Sequence, residues 1–210
     1  LENKPVAVGG KASGRGVLTT CNYKARDFGL HSAMPAAQAL KLCPELVLLP
    51  VRMDLYRETS RQIHEIFHRY TAIIEPLSLD EAYLDVSASP LHQGSATLIA
   101  RDVRETIFRE QNLTASAGIA ANKFLAKVAS DWQKPNGQFA LPPERVADFM
   151  TDLPVKKIPG VGPVTQKKLA NLGIATCGQL QQWSPQALQD QFGRFGTSLY
   201  HFARAADDRP

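Results

Sequence analysis

The chain has 210 residues, 44% of them hydrophobic and 21% charged, which is long enough to bury a core of its own without a disulfide or metal staple. No apolar run approaches the ~20 residues that a bilayer span needs, so a membrane-spanning helix is excluded. Lys and Arg outnumber Asp and Glu by 24 to 20 and the pI is about 9.0, a bias that permits a polyanionic partner without demanding one. Cys21, Cys43 and Cys177 lie far apart with no CxxC spacing, which marks them as reduced packing residues and points to a cytosolic compartment.

Residues 5–8 read as a short strand ending at Gly9-Gly10, and 17–20 as a second strand after Gly14-Arg15-Gly16. Short helical stretches follow around 23–28 and 35–42. From Asp54, read as an N-cap, Tyr56, Ser60, Ile63, Phe67 and Tyr70 recur at helical spacing, with charged residues on the other face. The apolar runs 72–79 and 82–87 predict two strands meeting at Asp80-Glu81. Ser95 is the expected cap of a helix carrying Leu98, Ile99, Val103 and Ile107. Leu113, Ala115, Ala117 and Ile119 alternate as a half-buried strand does. A helix capped by Asn122 should follow, with a stripe of Leu125, Val128, Ala129 and Trp132, halting at Pro135-Asn136-Gly137 before a strand over 138–141. This alternation predicts a mixed sheet with helices on one face. Beyond Pro142-Pro143 the strand signals vanish, and an all-helical domain of about 65 residues is expected, ending in a polar linker from Asp207. The chain opens at Leu1-Glu2-Asn3-Lys4 without an initiator Met, so both ends read as fragment boundaries.

Two stretches point to chemistry. Successive side chains of a straight strand face opposite ways, so Asp80 and Glu81 can share an ion only if the chain turns there. A hairpin apex would let them converge as hard oxygen ligands suited to Mg²⁺; a solvated acidic tip is the other reading. In "IPGVGPVTQKKLANLGI", residues 158–174, Pro159-Gly160-Val161-Gly162 makes a tight turn into a helix opening at Pro163, with Thr165 in its first turn. Amides at such a helix start attract anions, and Lys167 and Lys168 add charge, a helix-hairpin-helix pattern that grips nucleic-acid phosphate without reading sequence. Tyr23, Lys24 and Arg26, and Lys134 before Pro135, are of types that grip phosphate, but taken alone they read as a plain solvated surface. The histidines show no ligand spacing: His64 and His68 lack the Glu of an HExxH motif.

With these residues in order, "CNYKARDFGLHSAMP", "IEPLSLDEAYLDV", "TASAGIAANKFLAKVASDWQKPNGQF" and "IPGVGPVTQKKLANLGI" resemble the Y-family DNA polymerases, most nearly the bacterial DinB branch. The resemblance implies an α+β fold: small α/β fingers over residues 1–52, a palm with a mixed sheet over 53–142, and an all-helical thumb over 143–208. It implies template-directed DNA synthesis past damage, with nucleotidyl transfer from dNTP to a primer 3′-hydroxyl and two Mg²⁺ ions held by Asp80 and Glu81. Tyr23, Arg26 and Lys134 would grip the triphosphate, Val17 and Thr19 would roof the nascent base pair, and Ser78 would border the primer terminus. Gly160, Gly162, Thr165, Lys167 and Lys168 would hold primer-template DNA. A cytoplasmic monomer that meets a sliding clamp through a C-terminal region beyond this chain completes the expectation. Two family features are missing: an N-terminal strand with a further metal-binding Asp and a ribose-excluding aromatic, and a C-terminal little finger. These 210 residues are therefore expected to be inactive alone. The rivals are a non-catalytic DNA-damage adaptor, which would not need Asp80-Glu81 beside Arg26 and Lys134, and a nucleotide cyclase, which would not need the phosphate-gripping hairpin.

Overall fold

The computed structural model describes residue 1 and residues 3–209; Glu2 and Pro210 lie outside the described residues. The chain divides into two compact units, Leu1–Thr59 and Ser60–Pro210.

In the first unit β1 (Val6–Gly9) is central to a three-stranded sheet, pairing antiparallel with β2 (Leu18–Cys21) and parallel with β3 (Val47–Leu49). β1 and β2 run close at Gly9, where a Cβ would sit 2.5 Å from the Val17 carbonyl oxygen. Asn22 ends β2 and starts α1 (Tyr23–Arg26), its Oδ1 accepting the Ala25 N–H at 3.0 Å and the Val6 N–H at 3.0 Å. This one side chain therefore caps the helix and pins β1. After α2 (Ala36–Leu42), β3 emerges from Leu46-Val47-Leu48-Leu49 between two prolines, a strand that the sequence reading left out. Ala7, Leu18, Ala25, Leu30, Met34 and Ala39 are buried together with Cys21 and Cys43.

The unit boundary falls within α3 (Met53–Phe67). The helix starts one residue before Asp54, so Asp54 is a first-turn acid at the positive helix end rather than its cap. Ile66 is buried with Ile99, Val103 and Ile107 of α4 (Ala96–Gln111), and Ile63, Phe67 and Tyr70 pack on them. Ser95 caps α4 as expected, and Asn112 closes it in the left-handed region.

The strands are shorter than the apolar runs. β4 (Ile73–Pro76) and β5 (Ala82–Asp85) form an antiparallel hairpin; β6 (Ala117–Ile119) pairs parallel with β7 (Gln138–Ala140) across α5 (Lys123–Ser130). Both pairings occur, as a mixed β-structure requires, but among the described residues they form separate two-stranded ladders. Leu113 and Ala115 precede β6 rather than belonging to it, and Leu113 is exposed. Gly118 lets α5 lie tight on β6: a Cβ there would meet the Ala126 carbonyl oxygen at 2.1 Å.

The remaining helices are α6 (Val146–Asp152), α7 (Pro163–Asn171), α8 (Cys177–Leu180), α9 (Pro185–Phe192) and α10 (Arg194–Ala203). Their core, including Leu153, Leu169, Leu180, Leu188 and Leu199, is continuous with Phe124, Leu125 and Val128 of α5. Phe124 stacks on Phe202 with ring centroids 4.7 Å apart. Trp132, expected on the α5 stripe, follows the end of that helix and packs instead against Phe139 and Phe149. No helix among the described residues is long and apolar enough to cross a membrane.

Candidate functional site

The β4–β5 hairpin turns over residues 77–81. The last ladder pair is Pro76 with Ala82, and the Glu81 carbonyl accepts both the Leu77 N–H at 2.8 Å and the Ser78 N–H at 3.2 Å. Asp80 and Glu81 thus lie on the turn rather than on a regular strand, and both are exposed. Strand alternation no longer forces them to opposite faces. The Ser78 hydroxyl donates to Asp80 Oδ1 at 2.7 Å, orienting that carboxylate.

α5 supplies the opposing charge. Lys123 and Lys127 stand one turn apart on the same side of the helix. Lys127 Nζ lies 2.5 Å from Glu81 Oε1, and Lys123 pairs with Glu75 of β4 while its ammonium stands 5.8 Å from the Tyr83 ring centroid. Burial raises the Tyr83 hydroxyl pKa above its ordinary value. The sequence reading missed both lysines as site residues; their only sequence signal was the i,i+4 spacing.

The start of α5 is fixed from a distance. Asn122 Oδ1 accepts the Leu125 N–H at 2.9 Å and its amide donates to the Ala205 carbonyl at 2.8 Å; Asp207 Oδ2 accepts the Phe124 N–H at 2.8 Å. Arg209 forks onto Asp207 at 2.6 and 2.7 Å, and the Asp207 side chain is only 2% exposed. The guanidinium, with the Phe124 N–H, holds this carboxyl below the usual carboxylate range. Residues 207 and 209, read as linker, are therefore packed structure.

Lys134 follows α5 and pairs with Asp131 Oδ1 at 2.5 Å. In the first unit, Tyr23 and Arg26 are exposed on α1, with the guanidinium 5.8 Å from the Tyr23 ring centroid and its Nε donating to the Cys21 carbonyl. Val17 and Thr19 are both exposed and flank buried Leu18, so they share one face of the strand.

In the C-terminal hairpin the element before the turn is a single 3-10 turn, Val155–Lys157, not an α-helix. Gly160 has φ +89°, and a Cβ there would press on the Phe195 ring at 3.0 Å. Gly162, the residue before α7, has an ordinary φ of −84° and open space around its Cβ position. No side chain caps α7, and its first residue is Pro163, so its opening amides face outward beside intermediate-exposure Thr165 and exposed Lys167. Lys168, also exposed, is held by partners: its ammonium bonds the Gln191 carbonyl and lies 4.9 Å from the Phe192 ring centroid.

The profile of the impB/mucB/samB family matches residues 1–131. The chain belongs to this family, the Y-family DNA polymerases. A profile described as DNA polymerase-iota, thumb domain, matches residues 156–207 of this family member. It is 63% identical over 209 residues to DNA polymerase IV of Glaesserella parasuis and 58% identical to that of Pasteurella multocida, in each case covering 100% of this chain and 59% of the relative. Among solved structures it is similar to DinB from Sulfolobus solfataricus, with a TM-score of 0.91 at 30% identity, and to an insertion ternary complex of Dbh DNA polymerase, with a TM-score of 0.89 at 30% identity. Both comparisons cover 100% of this chain and 62% of the other. The chain thus spans about three-fifths of the length of these relatives.

DNA polymerases work with divalent metal ions. The apex fits such a group in donor chemistry: two exposed carboxylates, one now neutralised by an ammonium, are hard oxygen donors whose remaining partners would be water and phosphate. Among the described residues no group of three or more His, Cys, Asp or Glu is clustered for a metal.

Proposed function

We propose that this chain carries the catalytic core of a translesion DNA polymerase, which joins a deoxynucleotide to a primer 3′-hydroxyl under template direction. The observation that carries this reading is the Asp80-Glu81 step on an exposed hairpin turn, in a chain that also presents an uncapped, glycine-led helix start at Gly162. Asp80 and Glu81 would hold the metal, two Mg²⁺ ions in the full reading. When bound, such ions lower the pKa of the attacking hydroxyl and offset charge on the leaving pyrophosphate.

The chain's own groups then have separable tasks. Ser78 holds the Asp80 carboxylate in one orientation and borders the primer terminus. Tyr23 and Arg26 are exposed donors for a triphosphate, and Lys134 becomes a phosphate donor on exchanging Asp131 for a phosphate. Val17 and Thr19 offer a small face to the nascent base pair. The amides after Gly162, with Thr165, Lys167 and Lys168, would hold backbone phosphates, which positions DNA without reading its sequence. In this reading residues 1–52 are fingers, 53–142 palm and 143–208 thumb of a cytoplasmic monomer, and a clamp would be met outside this chain.

Single-turnover extension of a primed template by the protein carrying this chain tests the reading. Asp80→Asn and Glu81→Gln should each lower the rate by more than tenfold, about 1.4 kcal/mol, while duplex binding survives. Rates within that margin overturn the assignment and favour a DNA-binding adaptor.

A further inference from the structure

We propose that Lys127 is a built-in competitor for the cation at Glu81, its ammonium occupying that carboxylate until a divalent ion displaces it. This rests on the reading that Asp80 and Glu81 hold a metal. Lys127 Nζ is 2.5 Å from Glu81 Oε1, so the ammonium already takes the place of a cation there. Its carrier cannot easily withdraw. α5 buries Phe124, Leu125 and Val128, is capped by Asn122 and Asp207, and is tied to the same hairpin a second time through Lys123 and Glu75. The pair itself is partly solvated, with side-chain exposures of 26% and 42%, and solvated pairs of this kind are weak enough for a divalent ion to open.

A displaced ammonium stays tethered a few ångströms from the incoming ion. Repulsion between a unit and a double charge at that range lowers metal affinity by about tenfold after screening. An anionic ligand such as a nucleoside triphosphate offsets this repulsion. Metal occupancy at Glu81 is thereby made conditional on substrate, and a metal bound without substrate is disfavoured.

The test is titration of the 210-residue chain with Mn²⁺ alone, following the electron paramagnetic resonance signal of the free ion. Lys127→Met and Lys127→Gln should tighten binding about tenfold, and Lys127→Arg, which keeps the charge, should leave it near the wild-type value. Glu81→Gln should weaken binding, and Lys123→Met should change it far less than Lys127→Met. If Glu81→Gln weakens binding but both neutral Lys127 variants bind Mn²⁺ no tighter than wild type, the metal reading stands and the competitor role is overturned. Equal tightening by Lys123→Met overturns it too, since net charge rather than the pair would then act. Binding indifferent to Glu81→Gln overturns the metal reading at Glu81 and this inference with it.

Discussion

Asp207 and Phe124 are 83 residues apart in sequence, yet the carboxylate of the first accepts the N–H of the second in the opening turn of α5, at 2.8 Å. The segment after α10 thereby holds the start of α5, and α5 presents Lys123 and Lys127 to the hairpin. A charge this well buried is stabilising only while its partners are present.

Asp207→Asn should therefore destabilise the fold by about 2 kcal/mol, through the loss of a charged acceptor for Phe124 and of the Arg209 pair. The sign with pH follows from the lowered pKa: the contribution is full above the unfolded-state value near 4 and is lost as pH falls through the folded value. Urea midpoints of the wild type should fall towards those of the variant as pH drops below about 4. Parallel curves would remove Asp207 from the account.

Lys167 and Lys168 are adjacent but placed differently, and the two substitutions should separate. Both are exposed on α7, but Lys168 also joins α7 to the end of α9 through the Gln191 carbonyl and the Phe192 ring. Lys167→Met should lower the salt slope of duplex binding by about one and leave stability unchanged. Lys168→Met should weaken duplex binding as well and, unlike Lys167→Met, lower stability by about 1 kcal/mol. Equal salt slopes for Lys167→Met and wild type would place the DNA elsewhere.

The acidic turn was legible because two apolar runs met at a bare Asp-Glu step, and the ends of α4 and α5 because Ser95 and Asn122 are local caps. The same local logic found the Pro-Gly-Val-Gly turn. It failed where the cause is distant. Nothing near Glu81 names Lys127 as its partner, and nothing near Asp207 shows that its carboxylate will be buried on α5. β3 is too short for a periodicity to show, and its pairing with β1 is decided by the sheet rather than by its residues. The alternation at Leu113 and Ala115 read as strand because period two is also met by chance in a connecting segment.

All three cysteines are buried and free, and burial pushes the Cys177 thiol up to about 12. A thiolate is the reactive species, so an aromatic disulfide reagent at pH 8 should find no fast-reacting thiol in the native chain. In denaturant every cysteine should react at once. A fast native phase would show that the core around one of these residues opens locally.

The two glycines of the C-terminal turn yield the sharpest separation of folding from binding. Gly160 sits at φ +89° with the Phe195 ring where a Cβ would go, so Gly160→Ala strains the backbone and crowds the core. It should cost about 1–3 kcal/mol of stability, read from urea denaturation. Gly162 has neither constraint: its φ of −84° suits any residue, and nothing lies within 4 Å of its Cβ position. Glycine is favoured over aliphatic residues at this N-cap position of α7, and close approach of a phosphate to the α7 amides would be a second reason for it. Gly162→Val should cost no more than about 1 kcal/mol of stability, through loss of a favoured N-cap residue, and weaken duplex binding similarly on several unrelated sequences. Unchanged affinity in a stably folded Gly162→Val chain would take the DNA off this turn, and a loss confined to one sequence would mean that the turn reads bases.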